Sequence, residues 1–199
     1  DNTALRYGGG IYINNSTTEG TLTNSKIHNN TTSWAGGGVG IHNYLDFQET
    51  KVDNATKITR TGKPGDFTIQ DCEITGNSTT GTDGNCSGGG GISITSDLRR
   101  SELYKEKSGT VNIIDTVVED NTTTLAGGGI YCGYNGTNNI SGGSISNNTS
   151  GTAATTAIDA TNKYKYSGGA VAVRNNTTTI KGGTVIAGNT SGIDGGALY

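Results

Sequence analysis

The sequence predicts an all-β fold in which one strand-bearing unit is repeated and stacked, a parallel β-solenoid of about five coils. Three observations predict it. First, a glycine motif ending in an aliphatic residue recurs as "GGGI" at 8–11, "GGGV" at 36–39, "GGGI" at 89–92 and 127–130, "GGAV" at 168–171 and "GGAL" at 195–198. Second, the residues after each motif alternate with period two, so Ile11/Ile13, Val39/Ile41, Ile92/Ile94, Ile130/Cys132 and Val171/Val173 share one face. Tyr12, Gly40, Ser93, Tyr131 and Ala172 share the other, the signature of a half-buried strand. Third, only 30% of the 199 residues are hydrophobic while 34 are glycine, too little apolar material for one large globular core. At 16% charged residues the chain also falls short of a typical charged disordered segment.

The repeat sets each element in turn. Anchored on Ile11, Val39, Ile92, Ile130, Val171 and Leu198, the copies are 28, 53, 38, 41 and 27 residues apart, so the minimal coil is 27–28 residues. A second landmark is an aliphatic residue followed three later by Asn: Ile27/Asn30, Ile74/Asn77, Val118/Asn121, Ile145/Asn148 and Ile186/Asn189. Five residues before that aliphatic stands a third, at Leu22, Ile69, Ile113 and Ile140; in the last unit Ile180 lies one residue farther away, where a bulge is expected. Three short strands per coil follow, each coil stacking on the next at about 4.8 Å, since no coil buries its inner face alone. Gly-Gly turns the backbone through positive φ. Asn30, Asn77, Asn121, Asn148 and Asn189 form a corner column, expected to adopt the left-handed conformation and to bond their neighbours above and below.

Extra length falls at 43–66, 78–87, 96–109 and 149–167. Insertions at corresponding points of stacked repeats share a face, often the binding face. Tyr44, Phe47, Arg99, Arg100, Tyr104, Tyr164 and Tyr166 in these loops are the candidate binding residues, set against the plainer role of packing their own loops onto the coil.

Composition narrows the chemistry. A net charge of -3 and a pI near 5.3 give no basic footprint for nucleic acid or anionic membrane, and no apolar run approaches the roughly 18 residues of a membrane span. The N-terminus has no signal-peptide anatomy, which leaves a removed leader or a start inside a longer chain. Asp71 and Asp115 occupy equivalent places in adjacent coils, at a spacing that suits a glycosidase pair or a cation, with Glu73 nearby; a solvated corner is the competing reading, because Asn24 takes the same place in the first coil. No metal and no cofactor is expected. His28 and His42 are the only histidines, no Ser/His/Asp or Cys/His arrangement is enforced by the repeat register, and His28, at a variable outward place, reads as a surface residue. Cys132 aligns with Ile13, Ile41, Ile94 and Val173 and reads as a buried small hydrophobe, while a Cys72–Cys86 bridge is an option that spacing leaves open. Asn-x-Ser/Thr occurs fifteen times, and Asn30, Asn54, Asn121, Asn135 and Asn176 are glycan acceptor candidates if the source is eukaryotic, although an Asn/Thr-rich repeat creates such triplets by composition alone.

The pairing of Gly-Gly-[Gly/Ala]-[Ile/Val/Leu] with apolar-x-x-Asn resembles the polymorphic outer-membrane protein repeats first known from chlamydiae, which couple a GGAI-like motif to FxxN. The resemblance covers nearly the whole chain, with Ile or Val in the place of Phe. It implies a single-stranded right-handed parallel β-helix, 1–199 as one domain, exposed at a cell surface and often adhesive. The expected role is therefore a non-enzymatic extracellular structural or adhesive solenoid, a segment of a longer array or a unit that stacks end to end into a filament. Its partners would be itself and, through the loops, host or matrix glycans or proteins. Two alternatives remain: a polysaccharide lyase or glycoside hydrolase using Asp71, Asp115 and Glu73, and a glycan-binding module dependent on Tyr104 or Tyr164.

Overall fold

The computed structural model of the chain describes residues 1–14, 19–42, 47–52, 55–60, 65–82, 88–95, 109–133, 136–152 and 163–199. Its strands are stacked in four parallel sheets that run through successive coils. Sheet I carries the residues after the glycine motif: Ile11–Asn14, Val39–His42, Ile92–Thr95, Ile130–Gly133 and Val171–Arg174. Sheet II holds Gly20–Thr23, Phe67–Gln70, Thr110–Ile114, Thr137–Ser141 and Thr177–Lys181. Sheet III holds Lys26–His28, Glu73–Thr75, Val117–Glu119, Ser144–Ser146 and Val185–Ala187. The three expected strands per coil are joined by a fourth. Two-residue strands after the Asn corner form sheet IV: Thr3–Ala4, Thr31–Thr32, Ser78–Thr79, Thr122–Thr123, Thr149–Ser150 and Thr190–Ser191. A two-residue strand has no periodicity to read, which is why hydrophobic patterning passes over it.

The register places equivalent residues on one another. Ile11, Val39, Ile92, Ile130 and Val171 pair in succession, as do Leu22, Ile69, Ile113, Ile140 and Ile180, and Ile27, Ile74, Val118, Ile145 and Ile186. These columns are the core, which is narrow and runs along the stack. A one-residue slip would turn every column outward, so the pattern specifies register strongly.

Sheet IV extends the coil into two of the expected insertions: Ser78–Thr79 and Thr149–Ser150 are paired strands, so the surplus at 78–87 and 149–167 begins after them. Within 43–66, Phe47–Val52 and Ala55–Arg60 pair as an antiparallel hairpin. The extra residue before Ile186 makes no bulge in a strand. It is taken up by a corner in which Gly182 and Gly183 both have positive φ and Thr184 bonds back to the Lys181 carbonyl through Oγ1 at 2.9 Å, leaving Ile140↔Ile180 and Ile145↔Ile186 in register.

The glycine motif needs its residues for different reasons. The first glycine is left-handed in all six copies, with φ between 58° and 76°. The second lies under the next coil: a Cβ on Gly37 would sit 2.4 Å from the Gly90 carbonyl oxygen and 2.5 Å from that of Ser78. The third meets softer neighbours, and a Cβ on Gly38 would lie 2.8 Å from the Gly91 oxygen, 2.9 Å from Ile74 Cγ2 and 3.0 Å from Asn77 Cγ. Ala170 and Ala197 fill this third place in later copies. Gly37→Ala should therefore cost about 3 kcal/mol or more in a denaturant titration and Gly38→Ala about 1 kcal/mol, since only the first drives a methyl into backbone on two sides. Equal costs would mean that the coils separate easily at this point.

Candidate functional site

The Asn corner is a hydrogen-bonded ladder. Asn77 Oδ1 accepts the backbone N–H of Asn30 at 2.9 Å and its Nδ2–H at 2.9 Å, while Asn77 Nδ2 donates to Asn121 Oδ1 at 3.0 Å and to the Ile27 carbonyl at 2.9 Å. The pattern repeats from Asn121 to Asn148 and from Asn148 to Asn189. Both donors and both lone pairs of Asn77, Asn121 and Asn148 are used, which is what a buried amide requires. Asn2 joins as a sixth member, donating from its backbone N–H and Nδ2 to Asn30 Oδ1. It was missed because the aliphatic-x-x-Asn pattern that identifies the others cannot be read at residue 2.

The ladder asparagines are not the left-handed residues. That conformation belongs to the residue before each, Asn29, Gly76, Asp120, Asn147 and Gly188. The physical reason is a division of labour at the corner: the first residue turns the chain, and the second then points its amide inward onto the column. The ladder also changes the reading of the acceptor triplets. Asn30 is 3% exposed and Asn121 0%, and both donate their side-chain nitrogens to ladder neighbours, so neither offers its amide to a transferase in the folded state. Asn176 is half-buried, with Nδ2 against the Cys132 carbonyl at 2.5 Å and Oδ1 accepting from Thr178 Oγ1 at 2.7 Å. Asn54 and Asn135 lie outside the described residues.

The carboxylates resolve into corner and surface roles. Asp71 and Asp115 have φ of 53° and 46°, like Asn24 at 49°, and form a second left-handed corner column between sheets II and III. Their N–H groups donate to the Ile114 and Ser141 carbonyls of the next coils. Both are exposed, and the short polar residue they share with Asn24 has a sufficient cause in backbone conformation. Glu73 projects from sheet III to Lys26 Nζ at 2.9 Å, with His28 Nε2 at 4.0 Å. Among the described residues no group of three or more His, Cys, Asp or Glu side chains is arranged to hold a metal ion.

Of the loop candidates, Tyr44, Arg99, Arg100 and Tyr104 lie outside the described residues. Phe47 opens the hairpin, and Tyr164 and Tyr166 belong to a short 3-10 helix, Lys163–Tyr166, where Tyr166 is half-buried and its carbonyl accepts from Ser150 and Ser191. Cys72 is a buried free thiol, its Sγ directed to the carbonyls of Gln70 at 3.2 Å and Leu22 at 3.5 Å, and Cys86 lies outside the described residues.

An aromatic cluster on the outer surface of the first two coils was not among the expected sites. Tyr7 stacks on Tyr12 with ring centroids 5.5 Å apart and 18° between planes, and meets Trp34 edge-on at 5.8 Å. His42 lies 5.6 Å from Tyr7, and its Nδ1 is 3.3 Å from the Tyr12 hydroxyl. The Arg6 guanidinium sits over the Trp34 ring, 5.1 Å from its centroid. The parallel bridge between Tyr7 and Ala35 and the pairing of Tyr12 with Gly40 bring these residues together. The outward phase of Tyr12 was legible, but neighbouring members of one cluster come from different coils and from either side of the glycine motif, so linear proximity conceals them.

No family model matches the chain, and no curated protein or solved structure matches it.

Two predictions come from the buried column residues. Asn121→Ala removes the acceptor of the Asn77 backbone N–H and of one Asn77 side-chain N–H, and should cost about 3 kcal/mol or more, whereas Asn139→Ala on the outward face of sheet II should cost less than about 1 kcal/mol. Chemical denaturation of the two variants measures the difference. Cys132 is fully buried, and burial pushes its thiol up to about 12, opposed by a smaller lowering from the Thr178 hydrogen bond. Folding therefore favours the neutral thiol. Its contribution is intact below about pH 9 and is lost between there and about 12, by up to about 1.4 kcal/mol per pH unit, as the unfolded chain's thiol ionises. Cys132→Val, which copies its register partner Val173, should flatten that alkaline decline relative to the parent in thermal melts between pH 8 and 11.

Proposed function

We propose that this chain is a non-enzymatic, extracellular structural segment: a rigid spacer in a large surface protein or fibre, whose outward residues make adhesive contacts. The observation that carries this reading is the six-member Asn ladder. It couples each described coil to the next, and at Asn77, Asn121 and Asn148 the amides are buried and fully used, a device that resists shear and slip along the axis. Serine and threonine hydroxyls beside it add a second fastening, since Thr79 Oγ1 donates to the Gly89 carbonyl and Thr123 Oγ1 accepts from the Leu125 N–H, clamping the turn into the glycine motif.

Growth by further coils is built into this geometry. Leu198 already bridges Val171 in parallel and begins another row of sheet I, and any additional coil presenting Asn at the corner would extend the ladder. We read the coil as right-handed, in keeping with the hand of parallel crossover connections and with the repeats it resembles. Any additional coils would be supplied by the same chain or by a second copy stacked end to end.

Electron microscopy of the native material containing this chain tests the proposal. Straight rods or fibres with an axial rise of roughly 24 Å per five coils are expected. Flexible strings of separated globules, or turnover of a polysaccharide by the purified native product, would overturn it.

A further inference from the structure

We propose that the cluster of Arg6, Tyr7, Tyr12, Trp34 and His42 is a binding site for an acidic glycan, engaging the ring of a carboxylated pyranose. The inference does not depend on the spacer reading, because it concerns the outer surface of two coils and not their stacking.

Tyr12 and Tyr131 occupy the same outward column of sheet I, linked in register through Gly40 and Ser93. Tyr131 is 6% exposed and packed with Ala126 and Ala172. Tyr12 is 44% exposed. Its ring is nevertheless held in place, by the stack on Tyr7 and by the contact of its hydroxyl with His42. An exposed but immobilised aromatic face loses little side-chain entropy on binding.

The ligand class follows from what the face offers. A pyranose presents an apolar C–H surface that packs flat on an aromatic ring, and exposed aromatics with a polar tip suit a ligand that is wet on one side. Among the described residues, the cation beside the rings is Arg6. Arg6 is exposed, rests on Trp34, and has no ion pair with a carboxylate among the described residues. A guanidinium held against a ring keeps N–H donors for a carboxylate in the bidentate arrangement that Arg favours. A single arginine on a chain of net charge -3 does not suit a polyphosphate, whereas one carboxylate per sugar matches one guanidinium beside one platform.

Trp34 is the chain's only tryptophan, so its fluorescence reports on this site alone. The full chain is titrated with hexagalacturonate, with maltohexaose as the uncharged pyranose oligomer, and with a poly-aspartate peptide as carboxylates without sugar. Saturable change in Trp34 emission with hexagalacturonate only, weakened about tenfold by Tyr12→Ala and by Arg6→Gln at unchanged melting temperature, is the expected result. Arg6→Gln should also abolish the weakening by added salt. No saturable change with hexagalacturonate, equal binding of maltohexaose, equal binding of poly-aspartate, or binding indifferent to both substitutions would each overturn the proposal. So would an emission change that depends on protein concentration without ligand, which would make the cluster a contact between copies. The same variants keep the rod morphology if the two inferences are independent, so failure of one is seen apart from failure of the other.

Discussion

The structure depends on one constraint: each corner asparagine has to find its partners in the adjacent coil. A buried amide left unpaired costs about as much as several methyl groups contribute. The Asn column meets the constraint only when each coil returns to the same corner at strand spacing, with the same residue at that place. Asn30, Asn77, Asn121 and Asn148 thus act as a ruler. A coil out of register would bury two orphan amides at once, one above and one below. The aliphatic columns tolerate exchange of Ile, Val and Leu, because dispersion is not directional, but the amide column tolerates none of its common substitutes without loss of a donor or an acceptor.

The third glycine of the motif is a consequence of the same requirement. For the Asn amide to reach the coil above and the carbonyl of the coil below, the backbone of the opposite wall has to approach closely. The third position of the motif shows this directly, since a side chain on Gly91 would press on Asn121 Nδ2 and on Val118 Cγ1 at 3.0 Å. Glycine at this place is the complement of asparagine at the corner. The two signals that made the repeat visible by eye, Gly-Gly and the apolar-x-x-Asn, are the two halves of one packing contact.

Much of the fold was legible because solenoid physics is local and repeated. The aliphatic columns headed by Leu22 and Ile27 emerged in the register that period and spacing implied, and the inward phase of Cys132 was readable from its neighbours in the alignment. What escaped was of two kinds. Features too short to have a period, such as Thr31–Thr32 and its equivalents, leave no pattern in an Asn/Thr-rich background. Features that depend on a backbone angle, such as the assignment of the left-handed turn to Asn29 and not Asn30, look alike in a string of two consecutive asparagines. The surface cluster belongs to a third kind. Tyr7 and Trp34 are brought together by the bridge between Tyr7 and Ala35, outside the named strands, so a strand-by-strand reading had no reason to join them.

The separation of inner from outer residues also explains how such a coil could acquire a binding surface without cost to its stability. Inward places are occupied by columns in which a substitution affects the coils on both sides. Outward places answer only to their immediate neighbours, and insertions between strands leave the register intact, as the hairpin at 47–60 and the preserved pairing of Val39 with Ile92 demonstrate. Large outward aromatics are therefore free to vary from coil to coil, as the succession Tyr12, Gly40, Ser93, Tyr131 and Ala172 at one register position illustrates. Stability in a stack of this kind is a sum of nearest-neighbour terms, so selection on one outward patch is felt by two coils at most. A recognition site on this scaffold should accordingly consist of outward residues drawn from adjacent coils, which is the composition of the Arg6, Tyr7, Tyr12, Trp34 and His42 cluster.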